Sequence, residues 1–105
     1  MEINSLVIVS LANPREKVWG LLRALSPAGI TLKAIELDSF DEFVRQIIDR
    51  DEAIVGMATV FYPMHRVERI AMDEASGAIP SLSDRFQQKV GITVRGYLGV
   101  EAPKI

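Results

Sequence analysis

The spacing of apolar residues changes several times along this chain, and each change marks an element. Residues 5–11, SLVIVSL, form a short apolar run rich in β-branched side chains, the signature of a buried strand. Behind the turn Ser26-Pro27-Ala28-Gly29, Ile30, Leu32 and Ala34 alternate with Thr31, Lys33 and Ile35, which predicts a half-buried strand. From Ser39 the period lengthens. Phe40, Phe43, Val44, Ile47 and Ile48 fall at helical spacing with charges opposite them, so a helix is expected over about 40–50. Asp38 or Ser39 is placed to cap it, and Asp41 and Glu42 suit its positive end. Residues 58–62 and 67–72 read as two further strands, with a bend at Pro63-Met64-His65. Pro63 cannot donate to a ladder, so it marks a strand end or a sheet edge. After a turn at 73–77, PSLSDRFQQKVG predicts a short helix near 81–90. Ser81 caps with Asp84 three residues on, Leu82, Phe86 and Val90 make the stripe, and Gly91 stops it. Residues 92–105, opening ITVRGYLGV, are expected as a strand or an arm that relies on a partner for order.

Residues 13–25, NPREKVWGLLRAL, support two readings, and the fold turns on them. Local signals give a helix: Asn13 as N-cap, Pro14 at the first position, Glu16 completing the capping pattern, then Val18, Leu21, Leu22 and Leu25 at i, i+3, i+4 and i+7. The rival reading makes residues 13–16 a turn and residues 17–25 a bent strand. Gly20 then sits where a coiling strand lacks room for a side chain.

Composition adds limits. The chain has 105 residues, 49% hydrophobic and 25% charged, which suits one domain with one real core. It has no cysteine, so disulfides and thiolate metal sites are excluded. Its apolar runs are too short to span a bilayer and its first residues lack a signal-peptide pattern, so a cytoplasmic protein without membrane partners is expected. The net charge of −2 gives no support for nucleic-acid binding over a whole face. The charges are uneven, however. Residues 13–33 carry Arg15, Lys17, Arg23 and Lys33 against Glu16, whereas residues 36–52 carry seven acids against Arg45 and Arg50. Such opposite segments suit head-to-tail self-association, and a homo-oligomer is the expected partner state.

Two stretches resemble a known family. Residues 29–44, GITLKAIELDSFDEFV, resemble the first motif of the bacterial Hfq branch of the Sm-like family, and residues 62–70, YPMHRVERI, resemble its second. The resemblance covers roughly a third of the chain. It implies a mainly β fold, a small, strongly bent Sm-like or SH3-like barrel, here with a helix inserted near 40–50 and a C-terminal helix near 81–90. It also implies protomers joined edge to edge in rings that bind uridine-rich RNA. Carried over residue by residue, Phe40 and Phe43 would lie near a base-stacking site, and His65, with Arg66 beside it, would contact RNA. The helical reading of residues 13–25 gives instead an α+β two-layer sandwich, similar to small ferredoxin-like regulatory domains that sense small molecules.

No catalytic set emerges. His65 is the only histidine, and no phosphate loop, dinucleotide fingerprint or nucleophile elbow is present. Neither a metal nor a cofactor is expected, and the chain reads as a non-catalytic interaction domain. Trp19, the only tryptophan, together with Arg69 and Tyr97, is the expected interface set. Arg66 and Arg69 are expected on opposite faces of a strand, one of them paired with an acid of the 36–52 segment.

Overall fold

The computed structural model describes residues 1–50, 55–101 and 103. Five strands, β1 (Leu6–Leu11), β2 (Glu16–Ser26), β3 (Gly29–Glu36), β4 (Ala58–Pro63) and β5 (Val67–Met72), form one sheet in the order β4-β3-β2-β1-β5. Every neighbouring pair is antiparallel. Three helices follow the plan: α1 (Phe40–Asp49) between β3 and β4, then α2 (Leu82–Val90) and α3 (Val94–Leu98) after β5. The fold is mainly β, and the α+β sandwich is overturned because residues 13–25 carry no helix.

The helical signals in that stretch mislead for a physical reason. Asn13 has a left-handed φ of 51°, the geometry of a turn corner and not of an extended N-cap. In β2, Val18 and Leu22 enter one apolar cluster while Trp19 and Leu21 enter another, on the opposite face. A strand buried on both sides has no polar alternation, so its run matches helical spacing by chance. Gly20 is required by close approach. A Cβ there would stand 2.0 Å from the Lys33 carbonyl oxygen and 2.6 Å from Ala34 Cα. A bulge between Leu22 and Ala24 then absorbs one extra residue, Arg23.

The two clusters lie on the two faces of the sheet. One contains only strand residues, with Val7, Val9, Leu11, Ile30 and Leu32 fully buried and Val60, Tyr62, Val67 and Ile70 packed around them. The other is capped by helices. Leu6, Trp19, Leu21 and Ile35 meet Phe40, Phe43 and Val44 of α1, Phe86 of α2 and Val94 of α3. Trp19 sits edge-on to Phe40 with ring centroids 5.1 Å apart, a favoured aromatic geometry.

Local signals for the helices succeed unevenly. α2 has the capping box expected of Ser81 and Asp84, and Gly91 ends it in the left-handed region at φ 95°. α1 starts where the period changes, but neither Asp38 nor Ser39 caps it with a side chain. A 3-10 turn at Leu37–Ser39 runs directly into the helix, so Ser39 is already helical at φ −92°, ψ −1°. The 92–105 segment, expected as a strand or arm, contains α3. Thr93 accepts a hydrogen bond from Gly96 N, Val94 is buried and Gly99 closes the helix left-handed. Asp51 and Glu52 of the acidic segment, and residues 102, 104 and 105 of the C-terminal one, lie outside the described residues.

Candidate functional site

The sheet ends in two edge strands. β4 and β5 are the outermost strands, six residues each, and among the described residues no further strand pairs beyond either. A β-strand edge presents unpaired N–H and C=O groups, a template for another strand. Apolar side chains stand beside both edges: Phe61 on β4 is 54% exposed and Met72 on β5 is 42% exposed. Pro63 closes β4, as a residue without an N–H can at an edge.

The residues singled out by sequence disperse over the molecule. Phe40 and Phe43 are each 3% exposed. Phe40 makes a T-shaped contact with Trp19, and Phe43 stacks near Phe86 at 6.0 Å. Neither ring offers a free face, so a nucleobase would have to displace core packing to reach them. Trp19 is fully buried, and its Nε1 donates to Asp73 Oδ2 at 3.0 Å. It is a core residue and not an interface anchor, because the sheet needs a large ring to meet α1 and α2. Tyr97 on α3 is 44% exposed, with its ring edge-on to Phe43. Arg69 is exposed on β5, and His65 is exposed in the 3-10 turn Met64–Arg66.

Arg66 belongs to that turn, not to a strand, and its partner is not an acid of residues 36–52. Its Nε donates to the Ala12 carbonyl at 3.0 Å, and its Nη2 to the Pro14 carbonyl at 2.8 Å and to Glu16 Oε2 at 3.3 Å. The guanidinium also lies 5.7 Å from the Tyr62 ring centroid. Arg66 therefore staples the β1–β2 turn to the β4–β5 turn, and most of its donors are spent within the chain. Burial pushes the Tyr62 phenol above its ordinary value; Glu16 adds to the rise, Arg66 works against it and Glu36 adds again.

A groove of about 460 Å³ opens where the sheet meets α1 and α2, floored by Ile8, Leu37, Phe40 and Leu82. Its arginine is already committed: Arg85 Nη2 donates to Asp41 Oδ1 at 3.0 Å, and the guanidinium sits 5.1 Å from the Phe40 ring centroid. Asp73 at its edge is likewise engaged, accepting from Trp19, from Leu82 N and from Ser83 N. A smaller, polar pocket of about 210 Å³ lies on the helix-bearing face beside β4, lined by Arg23, Lys33, Thr59 and the α3 end at Leu98 and Val100. Sequence reading missed Phe61, Met72, Asp73 and this cationic pocket. Only the edge position of β4 was signalled, by Pro63.

Among the described residues no three His, Asp or Glu side chains gather closely enough to hold a metal ion, and no helix is long and apolar enough to cross a membrane. No known protein family, curated protein or solved structure matches the chain.

Proposed function

We propose that this chain is a non-catalytic interaction domain whose sheet bends into a small Sm-like or SH3-like barrel and whose copies associate edge to edge. The outer edge of β4 in one protomer pairs with the outer edge of β5 in the next. The observation that carries this reading is the pair of free, equally long edges at opposite ends of one antiparallel sheet, each flanked by an exposed apolar side chain. The strand-only cluster supports the bend: a flat sheet would leave Val7, Leu32 and their neighbours in water, and among the described residues no helix packs on them. The resemblance of residues 29–44 and 62–70 to the Sm-like family supports the same arrangement. Because two different edges meet, the contact is heterologous, and its repetition closes a ring or extends a filament.

Size-exclusion chromatography with light scattering tests the reading. The wild-type chain is expected to assemble, and Met72→Lys to shift it towards one-chain mass with its circular dichroism unchanged, since a lysine on an edge strand discourages pairing. A wild-type chain that stays monomeric at high concentration in low salt would overturn it.

A further inference from the structure

We propose that the pocket between β2, β3, β4 and the end of α3 binds a small oxyanion, a phosphate group, through Arg23, Lys33 and Thr59. The sheet register builds the site. Lys33 on β3 lies opposite Leu21 on β2 and opposite Thr59 on β4. Directly opposed residues project to the same side with Cβ atoms about 4.5–5.5 Å apart, so the Lys33 ammonium and the Thr59 hydroxyl share one rim. Arg23 is the extra residue of the β2 bulge, and bulges re-aim the side chains they carry.

The arginine is also held in place. Its Nη1 donates to Asn4 Oδ1. Asn4 is fixed in turn by its own N–H on the Leu22 carbonyl at 2.7 Å, by its Nδ2 on the Glu101 carbonyl at 3.1 Å, and by Arg95 Nε on its carbonyl at 2.9 Å. One contact on Nη1 leaves the rest of the guanidinium fork for a ligand. Among the described residues neither Arg23 nor Lys33 forms an ion pair. Arg85, beside the larger groove, is by contrast paired with Asp41.

Two cations facing one cavity of about 210 Å³ without a carboxylate between them repel each other. A bound dianion removes that repulsion and accepts from all three donors. A planar guanidinium and a compact ammonium are the pair that phosphate recognition uses. Leu21, with Leu98 and Val100 at the α3 end, supplies the apolar part of the lining. The site does not depend on edge pairing: it rests on a sheet face and a side-chain pair that one chain supplies alone.

The test is a titration of the full chain with inorganic phosphate, followed by amide chemical shifts in low-salt buffer, where screening is least. Saturable shifts are expected at Leu21, Arg23, Lys33, Thr59 and Leu98, with acetate at equal concentration giving much smaller ones. Arg23→Gln and Lys33→Gln should each weaken binding at least about tenfold, as loss of a charge-assisted hydrogen bond does. Lys33→Arg should retain it. Both glutamine variants replace side chains at the surface, and unchanged spectra elsewhere will show that the fold is kept. A second arm uses a short single-stranded oligonucleotide. Tighter binding of the oligonucleotide than of free phosphate, lost in the same variants, identifies a chain phosphate as the ligand; tighter binding of free phosphate identifies a small phosphorylated molecule. Absence of saturable shifts, or shifts that persist equally in both glutamine variants, would overturn the site.

Discussion

The two faces of the sheet are buried by different means. On one, strand residues from β1 to β5 cover one another, and the cluster they form is almost wholly aliphatic. On the other, three helices have to be brought down onto Trp19, Leu21 and Ile35, and polar contacts help to place them. Asp73 ties the buried indole to the start of α2, and Arg85 ties α2 to the start of α1. A self-covered face needs only apolar residues of about the right size, and each fully buried Val, Leu or Ile there is worth roughly 1.5–3 kcal/mol. A face covered by separate helices also needs positional information, and hydrogen bonds supply direction where dispersion does not. The groove at α1 and α2 and the pocket at the end of α3 both lie on the helix-bearing side, where independent pieces meet.

The largest expected effect probes whether the faces are separable. Phe40 joins α1 to Trp19 and is buried, so Phe40→Ala should destabilise the chain by about 3–5 kcal/mol in chemical denaturation. If the strand-built face stands by itself, hydrogen exchange in this variant should accelerate most in α1 and α2, while the central strands β1, β2 and β3 keep most of their protection. Equal loss of protection in strands and helices would mean that the faces fold as one unit. A midpoint equal to wild type would mean that Phe40 contributes nothing to the core.

A smaller effect isolates the polar link. Asp73→Ala leaves three donors without their acceptor: Trp19 Nε1, Leu82 N and Ser83 N. The expected cost is about 1–3 kcal/mol, the penalty for unsatisfied donors in a part-buried setting. Asp73→Asn should cost less, since one carbonyl oxygen remains to accept. Urea denaturation monitored by the single tryptophan reads both variants at the residue concerned. An unchanged midpoint in Asp73→Ala would show that water replaces the carboxylate and that packing alone seats α2.

Much of this contrast was visible in the sequence wherever its cause is local. α2 was legible from cap to stop because Ser81, Asp84, Phe86 and Gly91 act on one another within nine residues of helix and its flanks. β3, β5 and the change of period at Ser39 were legible for the same reason. β2 was legible only as one of two readings, with Gly20 as its local sign, because its run records burial on both sides, which is a property of the assembled sheet. α3 was missed because β-branched residues and glycines outweighed the Thr93 cap and the Gly99 stop. Of the expected site residues, Trp19, Phe40 and Phe43 went to the core, which hydrophobicity alone permits as readily as an exposed role. The cationic pocket depends on pairing β2, β3 and β4 and on a bulge, none of which a linear reading specifies.

The smallest expected effects compare how the two longer helices of the covered face begin. Ser81 precedes α2 in extended geometry at φ −67°, ψ 164°, and its Oγ accepts from Asp84 N at 3.0 Å while Asp84 Oδ2 accepts from Ser81 N at 3.3 Å. Ser39 precedes α1 in helical geometry and makes no such bond, because the Leu37–Ser39 turn has already begun the coil and Phe40 N donates to the Leu37 carbonyl. A cap stabilises by accepting from an otherwise orphaned N–H of the first turn. Ser81→Ala should therefore cost about 0.5–2 kcal/mol, whereas Ser39→Ala should stay within about 0.5 kcal/mol of wild type, as surface substitutions without a partner do. Alanine is also the better helix former, which offsets part of any loss at the helical position 39 and none at the extended position 81. Denaturation midpoints of the two variants, measured side by side, decide the matter. Equal losses would show that the Ser39 hydroxyl caps α1 in solution, and that the two helices are set onto the sheet by the same device.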